Sequence, residues 1–171
     1  MSTSDRTPFP MVFIGPMAAG KTRIGKRVAA ALGVPFVDTD KRVVAVHGPI
    51  KDIFAVDGEQ RFRELERAAV VDALETAGVV SLGGGAVLDP ATQADLLACT
   101  VVFLSATSEA VASRITGSKR PLLQNGVADW QRIFDERRPT YEALASIHID
   151  TSNRPIEQIA AEIVTWAKER S

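Results

Sequence analysis

The octapeptide Gly15-Pro16-Met17-Ala18-Ala19-Gly20-Lys21-Thr22 has the spacing G-x-x-x-x-G-K-[ST]. It lies between a β-branched apolar run, Met11 to Ile14, and a helical pattern from Arg23 to Leu32. Glycines at both ends let the backbone curl so that its N–H groups point inward, toward the positive end of the following helix. The result is a cradle for phosphate, in which Lys21 reaches the outer phosphates and the Thr22 hydroxyl ligates Mg²⁺. Three more polar clusters stand where other elements carry them. Val37-Asp38-Thr39-Asp40 sets two carboxylates at the end of a second apolar run, and Leu82-Gly83-Gly84-Gly85 ends a third with bare backbone that a ligand can approach. Arg63 sits on a helical pattern beside Phe62 and Leu65, and Arg137 lies in the polar run Asp135-Glu136-Arg137-Arg138.

These groups need a scaffold that gathers them. Short apolar runs at Met11 to Ile14, Val34 to Val37, Val79 to Leu82, Val101 to Leu104 and Ile147 to Ile149 read as five buried strands. Between them come helical spacings, Ile24, Val28, Ala31 and Leu32 in one and Phe62, Leu65, Ala69 and Ala73 in another. The alternation predicts a three-layer α/β/α domain with a central five-stranded parallel sheet, whose ligands gather beyond the carboxyl ends of the strands. Residues 1–10 read as a flexible N-terminal end and 11–171 as one domain. A lid is expected at about 114–126, where Gly, Ser, Lys, Pro and Asn surround only two leucines between Thr116 and Gly126.

Composition removes other classes. In 171 residues, 20 Lys+Arg balance 21 Asp+Glu, so there is no field to hold nucleic acid or an anionic membrane. Cys99 is the one cysteine, which excludes a disulfide framework and fits a reducing cytoplasm; it reads as a buried, inert hydrophobe. No apolar stretch reaches the ~18 residues of a membrane span. His47 and His148 lack partners at ligand spacing and read as surface or sheet-end residues. Trp130 and Trp166 fall in helical patterns and read as packing residues.

A phosphate cradle specifies a nucleotide but no reaction. From about Met11 to Trp166 the sequence resembles the shikimate kinases, P-loop proteins of the nucleoside-monophosphate-kinase-like branch. The resemblance rests on the loop Gly15 to Thr22, the D-x-D of Asp38 and Asp40, Gly58 to Glu66 as G-E-x-x-F-R-x-x-E, Gly83 to Gly85, Arg120-Pro121-Leu122-Leu123, and Arg137 to Tyr141 as R-x-P-x-Y. It implies transfer of the γ-phosphoryl of ATP to the 3-hydroxyl of shikimate by a small cytoplasmic, monomeric enzyme.

Position by position, the resemblance makes Asp40 the residue that binds the acceptor hydroxyls and orients or deprotonates them. Asp38 with Thr22 holds Mg²⁺, and Arg63 and Arg137 clamp the acid with help from Gly83, Gly84 and Gly85. Gly15, Ala18, Ala19, Gly20, Lys21 and Thr22 hold phosphate, Arg120 is the lid arginine that joins Lys21 in catalysis, and Arg114 and Arg154, with Asn153, lie near adenine. Arg138 neighbours Arg137 and could exchange roles with it; the distance to Tyr141 favours Arg137. Two departures stand out. Val43 and Val44 occupy the region where the family usually has a glutamate, and Ala18-Ala19 replace a commoner glycine-containing interior. A gluconate-type kinase on the same fold and a non-catalytic ATP-binding regulatory module are the competing readings.

Overall fold

The computed structural model describes residues 8–115 and 125–170. Five strands form one sheet: β1 (Met11–Ile14), β2 (Phe36–Asp38), β3 (Val79–Ser81), β4 (Thr100–Ser105) and β5 (Ile147–Asp150). Their order is β2-β3-β1-β4-β5 and every pairing is parallel. Central β1 is buried at all four positions, as expected of a parallel strand covered on both faces. The β-branched runs thus become strands within a residue or two of their sequence limits; β2 starts later, because Val34 and Pro35 belong to the turn after the first helix.

The helices are α1 (Lys21–Leu32), α2 (Thr39–His47), α3 (Ile50–Leu74), α4 (Pro90–Leu96), α5 (Ser108–Ile115), α6 (Val127–Leu144) and α7 (Ile156–Glu169). Helices α1 and α7 pack on each other, α5 on α6, and α6 on β4, where Phe103 meets Phe134 and stacks on Tyr141. The buried face of α1 is Ile24, Gly25, Val28 and Ala29, while Ala31 is exposed. Gly25 is a close approach: a β-carbon there would stand 2.8 Å from the Phe36 ring.

Helix α3 departs most from its pattern. Gly58, at φ +84°, breaks it in the middle, a conformation that costs glycine little and an L side chain much. Beyond the break the innermost residues are Phe62, Glu66, Val70 and Ala73. Leu65 and Ala69 instead join Phe62 in a small satellite core with Val43 and Ile53, under α2. The apolar stripe of α3 therefore divides between two cores, and the seam between them turns a glutamate inward. Pro8, the first described residue, is buried; Phe9 lies on the main core and the Pro10 carbonyl accepts from the Thr100 N–H at 3.3 Å.

Candidate active site

Strand register brings the polar chain ends level. Asp38 on β2 stands beside Ser81 on β3, and Ser81 beside Phe13 on β1, so Gly15 and Gly83 leave the sheet at the edge that Asp38 closes. A cavity of about 520 Å³ opens there. Its walls carry Ala18, Gly20, Lys21 and Thr22 from the loop, Asp38 and Asp40, Arg63 from α3, Gly83 to Gly85, and Arg137 from α6. One crevice thus joins the phosphate cradle, the carboxylate pair, the glycine run and both clamp arginines.

On the cradle side the backbone is tightly placed. Gly15 passes so near β4 that a β-carbon would lie 2.1 Å from the Leu104 carbonyl oxygen. The Lys21 ammonium donates to the Gly15 and Pro16 carbonyls at 2.8 and 2.9 Å, which draws the side chain back over its own loop. The Thr22 hydroxyl donates to Asp38 Oδ2 at 2.6 Å, while Asp38 Oδ1 accepts from the Lys41 N–H at 3.1 Å. Asp38 therefore caps α2 with one oxygen and faces the loop with the other. Ala19 is buried and sits behind the cavity wall, its carbonyl held by Thr151.

On the other side the glycines make room for side chains. A β-carbon on Gly83 would lie 2.5 Å from Asp40 Oδ1, one on Gly85 2.5 Å from Arg63 Nη1, and one on Gly84 3.4 Å from Arg137 Nη1 and 3.5 Å from the Gly15 carbonyl oxygen. Side chains on this run would thus collide with or crowd an acid, two bases and the cradle itself. The Tyr141 hydroxyl donates to the Gly84 carbonyl; burial pushes that phenol up to about 12, with Arg137 pulling the other way. Arg63 donates to Glu66 at 3.0 Å and to Glu59 at 3.2 Å, so the helix-face ion pairs and the place in the cavity wall are both real. Burial works to lower the Arg63 pKa, but Glu66 and Glu59 outweigh it and the net direction is up. Glu66 is only 3% exposed, and burial raises its carboxyl to about 7 against the pull of Arg63, with Asp40 adding to the rise. Ile50, Phe54 and Phe62 close the compartment with an apolar wall.

Other expected site residues lie apart from the cavity. Arg114 is exposed at the end of α5 and donates to the Ala18 carbonyl at 2.7 Å, on the outside of the loop. Arg154 ion-pairs with Glu162 on α7, and Asn153 takes φ +57° in the turn before it. Arg120 lies outside the described residues, as does most of the expected lid. Arg138 lies over the Phe134 ring, 4.5 Å from its centroid, so of the neighbouring pair it is Arg137 that enters the cavity. Cys99 is half-buried, and its thiol donates to the Asp95 carbonyl. His148 ends on the sheet, stacked on Phe103 and hydrogen-bonded to the Ser105 hydroxyl at 2.7 Å.

Sequence reasoning gives no place in the site to Ile50, Phe54, Arg23, Lys51 or Thr151, and reads Trp130 as packing alone. Ile50 and Phe54 are four apart on a helix, which reads as ordinary core spacing. Trp130 and Thr151 touch the loop from 113 and 132 residues away, a contact that leaves no local signal. Glu66 was visible only as the last letter of a motif.

A glycine-bounded phosphate cradle, facing an acid-and-guanidinium compartment in one crevice at the edge of a parallel sheet of this order, defines a P-loop kinase acting on a small molecule. The family model for shikimate kinase matches residues 17–168. A shikimate kinase of Salinispora arenicola (strain CNS-205) is 46% identical over 156 residues, covering 89% of this chain and 93% of that one. The solved shikimate kinase from Acinetobacter baumannii in complex with shikimate superposes with a TM-score of 0.89 at 30% identity, covering 94% and 93% of the two chains. A gluconokinase from Sinorhizobium meliloti 1021 shares the fold alone, with a TM-score of 0.65 at 20% identity over 96% of this chain and 94% of that one. The chain belongs to the shikimate kinase family, and its function is the phosphotransferase activity that gives the family its name, with ATP as co-substrate.

Proposed function

We propose that the loop Gly15 to Thr22 holds ATP and that Arg63, Arg137 and the Gly83 to Gly85 run hold shikimate, whose 3-hydroxyl faces Asp40 and receives the γ-phosphoryl group. The observation that carries this reading is how closely the glycine run is lined: a β-carbon on Gly83, Gly84 or Gly85 would meet Asp40, Arg137 and Arg63 in turn, and the one on Gly84 would also lie 3.5 Å from the Gly15 carbonyl oxygen. Donor and acceptor sites then share a wall one residue thick. Such closeness favours direct in-line transfer, in which positioning and charge neutralisation supply most of the rate.

In the transfer an O–P bond forms to the acceptor hydroxyl as the bond from the γ-phosphorus to the bridging oxygen breaks and ADP leaves. Asp40 orients the hydroxyl and takes its proton. Lys21 faces the charge that spreads over the γ-oxygens, and Arg120, assigned by family resemblance, faces it from the lid. Arg63 and Arg137 grip the carboxylate, and Ile50, Phe54 and Phe62 exclude water from the ring. Thr22 and Asp38 fit a Mg²⁺ ion, since a hydroxyl and a carboxylate stand 2.6 Å apart beside the cradle and this ion needs few protein ligands besides phosphate and water. When bound, the ion neutralises β- and γ-phosphate charge. Near-neutral net charge and the lone cysteine support a cytoplasmic monomer that works on these small molecules without nucleic acid or membrane.

The test separates acid binding from nucleotide binding. In Arg63→Ala and Arg137→Ala, kcat/KM for shikimate is expected to fall by about 10² or more, as each removes charge-assisted contacts, while the nucleotide Kd stays within about twofold. Equal loss of nucleotide binding would overturn the assignment.

A further inference from the structure

The five carbonyls from Gly15 to Ala19 are all taken by side-chain donors. Lys21 holds the first two. The next three are held from outside the loop: Trp130 Nε1 donates to the Met17 carbonyl at 2.8 Å, Arg114 Nη1 to Ala18 at 2.7 Å, and Thr151 Oγ1 to Ala19 at 2.9 Å. In a planar trans peptide the C=O and the following N–H point opposite ways. Holding the Met17 oxygen outward therefore aims the Ala18 N–H inward. The loop has particular need of such support, because Ala18 sits at φ +66° in a region that an L side chain enters at a cost.

Trp130 is 2% exposed and packs on Phe134, with ring centroids 5.4 Å apart. It also stands on the helix that serves the acceptor. Arg137 and Tyr141 follow it on one face of α6 at seven and eleven positions, roughly 16 Å along the axis at 1.5 Å per residue. Tyr141 donates to the Gly84 carbonyl, and the Met17 nitrogen is 3.6 Å from where a β-carbon on Gly84 would be. One rigid helix thus grips both the cradle and the glycine run.

We infer that Trp130 is a positioning residue for the nucleotide: its indole N–H holds the Met17 peptide so that the next amide faces the phosphates, and it fixes the cradle to α6. This inference rests on the loop being the ATP site. It gives Trp130 a role that packing alone would not require, because the hydrogen bond can be removed while the ring stays.

The experiment replaces Trp130 with benzothienylalanine, the sulfur isostere that lacks the N–H, and compares Trp130→Phe. The isostere is expected to raise the KM for ATP and the Kd of a non-hydrolysable ATP analogue about tenfold, equivalent to about 1.4 kcal/mol. The KM for shikimate should stay within about twofold and the Tm near that of the wild type. A second readout uses fluorescence. Trp166, the other tryptophan, lies under Arg170 on α7, so Trp166→Phe is expected to keep the emission change on analogue binding. An isostere with wild-type ATP affinity, or an emission change that vanishes with Trp166, would overturn the inference. A Gly20→Val variant that binds the analogue with wild-type affinity would overturn the ATP-site reading and the inference together.

Discussion

Arg63 and Gly85 fit so closely that a β-carbon on residue 85 would stand 2.5 and 2.6 Å from the two terminal nitrogens of the guanidinium. Gly85 has φ −96°, which alanine adopts without strain, and the atoms in the way are the far end of a movable side chain. Gly85→Ala is therefore expected to fold, with a stability change within about 1 kcal/mol, while pushing Arg63 out of the compartment. The KM for shikimate should rise by roughly tenfold or more with the ATP Kd unchanged. Steady-state kinetics on both substrates, with a thermal melt alongside, check this.

Glu66 gives the pH dependence. Burial raises its carboxyl from 4.5 to about 7, so between those values the folded chain holds a proton that the unfolded chain has released. Its stabilising contribution is present at the acid end of that window and is lost as the pH rises through it, by on the order of 3 kcal/mol. Glu66→Gln should remove that slope and be relatively more stable at pH 8 than at pH 5. Urea unfolding of both proteins at the two pH values measures it. The same variant should bind shikimate several-fold more weakly above pH 7, where the ionised Glu66 orients Arg63.

Asp38 separates capping from phosphate chemistry. Its Oδ1 accepts from Lys41 N–H and its Oδ2 from the Thr22 hydroxyl. Asn at this position keeps the cap, so Asp38→Asn should change stability by no more than about 0.5 kcal/mol, whereas Asp38→Ala loses about 1 kcal/mol. Asp38→Asn should still lower kcat by about 10² and raise the Mg²⁺ concentration needed for half-maximal rate. A magnesium titration of the rate distinguishes the two effects.

The pieces legible in sequence were those whose chemistry is local. The loop Gly15 to Thr22, the Asp38 and Asp40 pair at a strand end and the Gly83 to Gly85 run each carry their spacing in a few residues, and a parallel sheet gathers strand ends on one edge. What stayed hidden depends on convergence. Glu66 faces inward because α3 breaks at Gly58 and divides its stripe between two cores, which periodicity counted over one helix does not reveal. Ile50 and Phe54 form an apolar wall of the cavity with the same spacing that packs a core. In sequence the glycine run reads as backbone offered to a ligand, yet it also supplies the space into which Asp40 and Arg63 fit. Arg154, which the resemblance sets near adenine, ion-pairs with Glu162 in the second turn of α7, a partner that local spacing does not announce.

If one crevice holds both a nucleotide and an acid clamped by guanidinium groups, with Asp40 at the acceptor hydroxyl, turnover depends on that acid and on that carboxylate. ADP release measured over shikimate, gluconate and neutral polyols, for the wild type and Asp40→Asn, tests it most directly. ADP release is expected to depend on shikimate, to be at least about 10² lower with the other acceptors, and to be abolished in Asp40→Asn while nucleotide binding persists. Release that proceeds equally with gluconate, or that survives in Asp40→Asn at the wild-type rate, would contradict it.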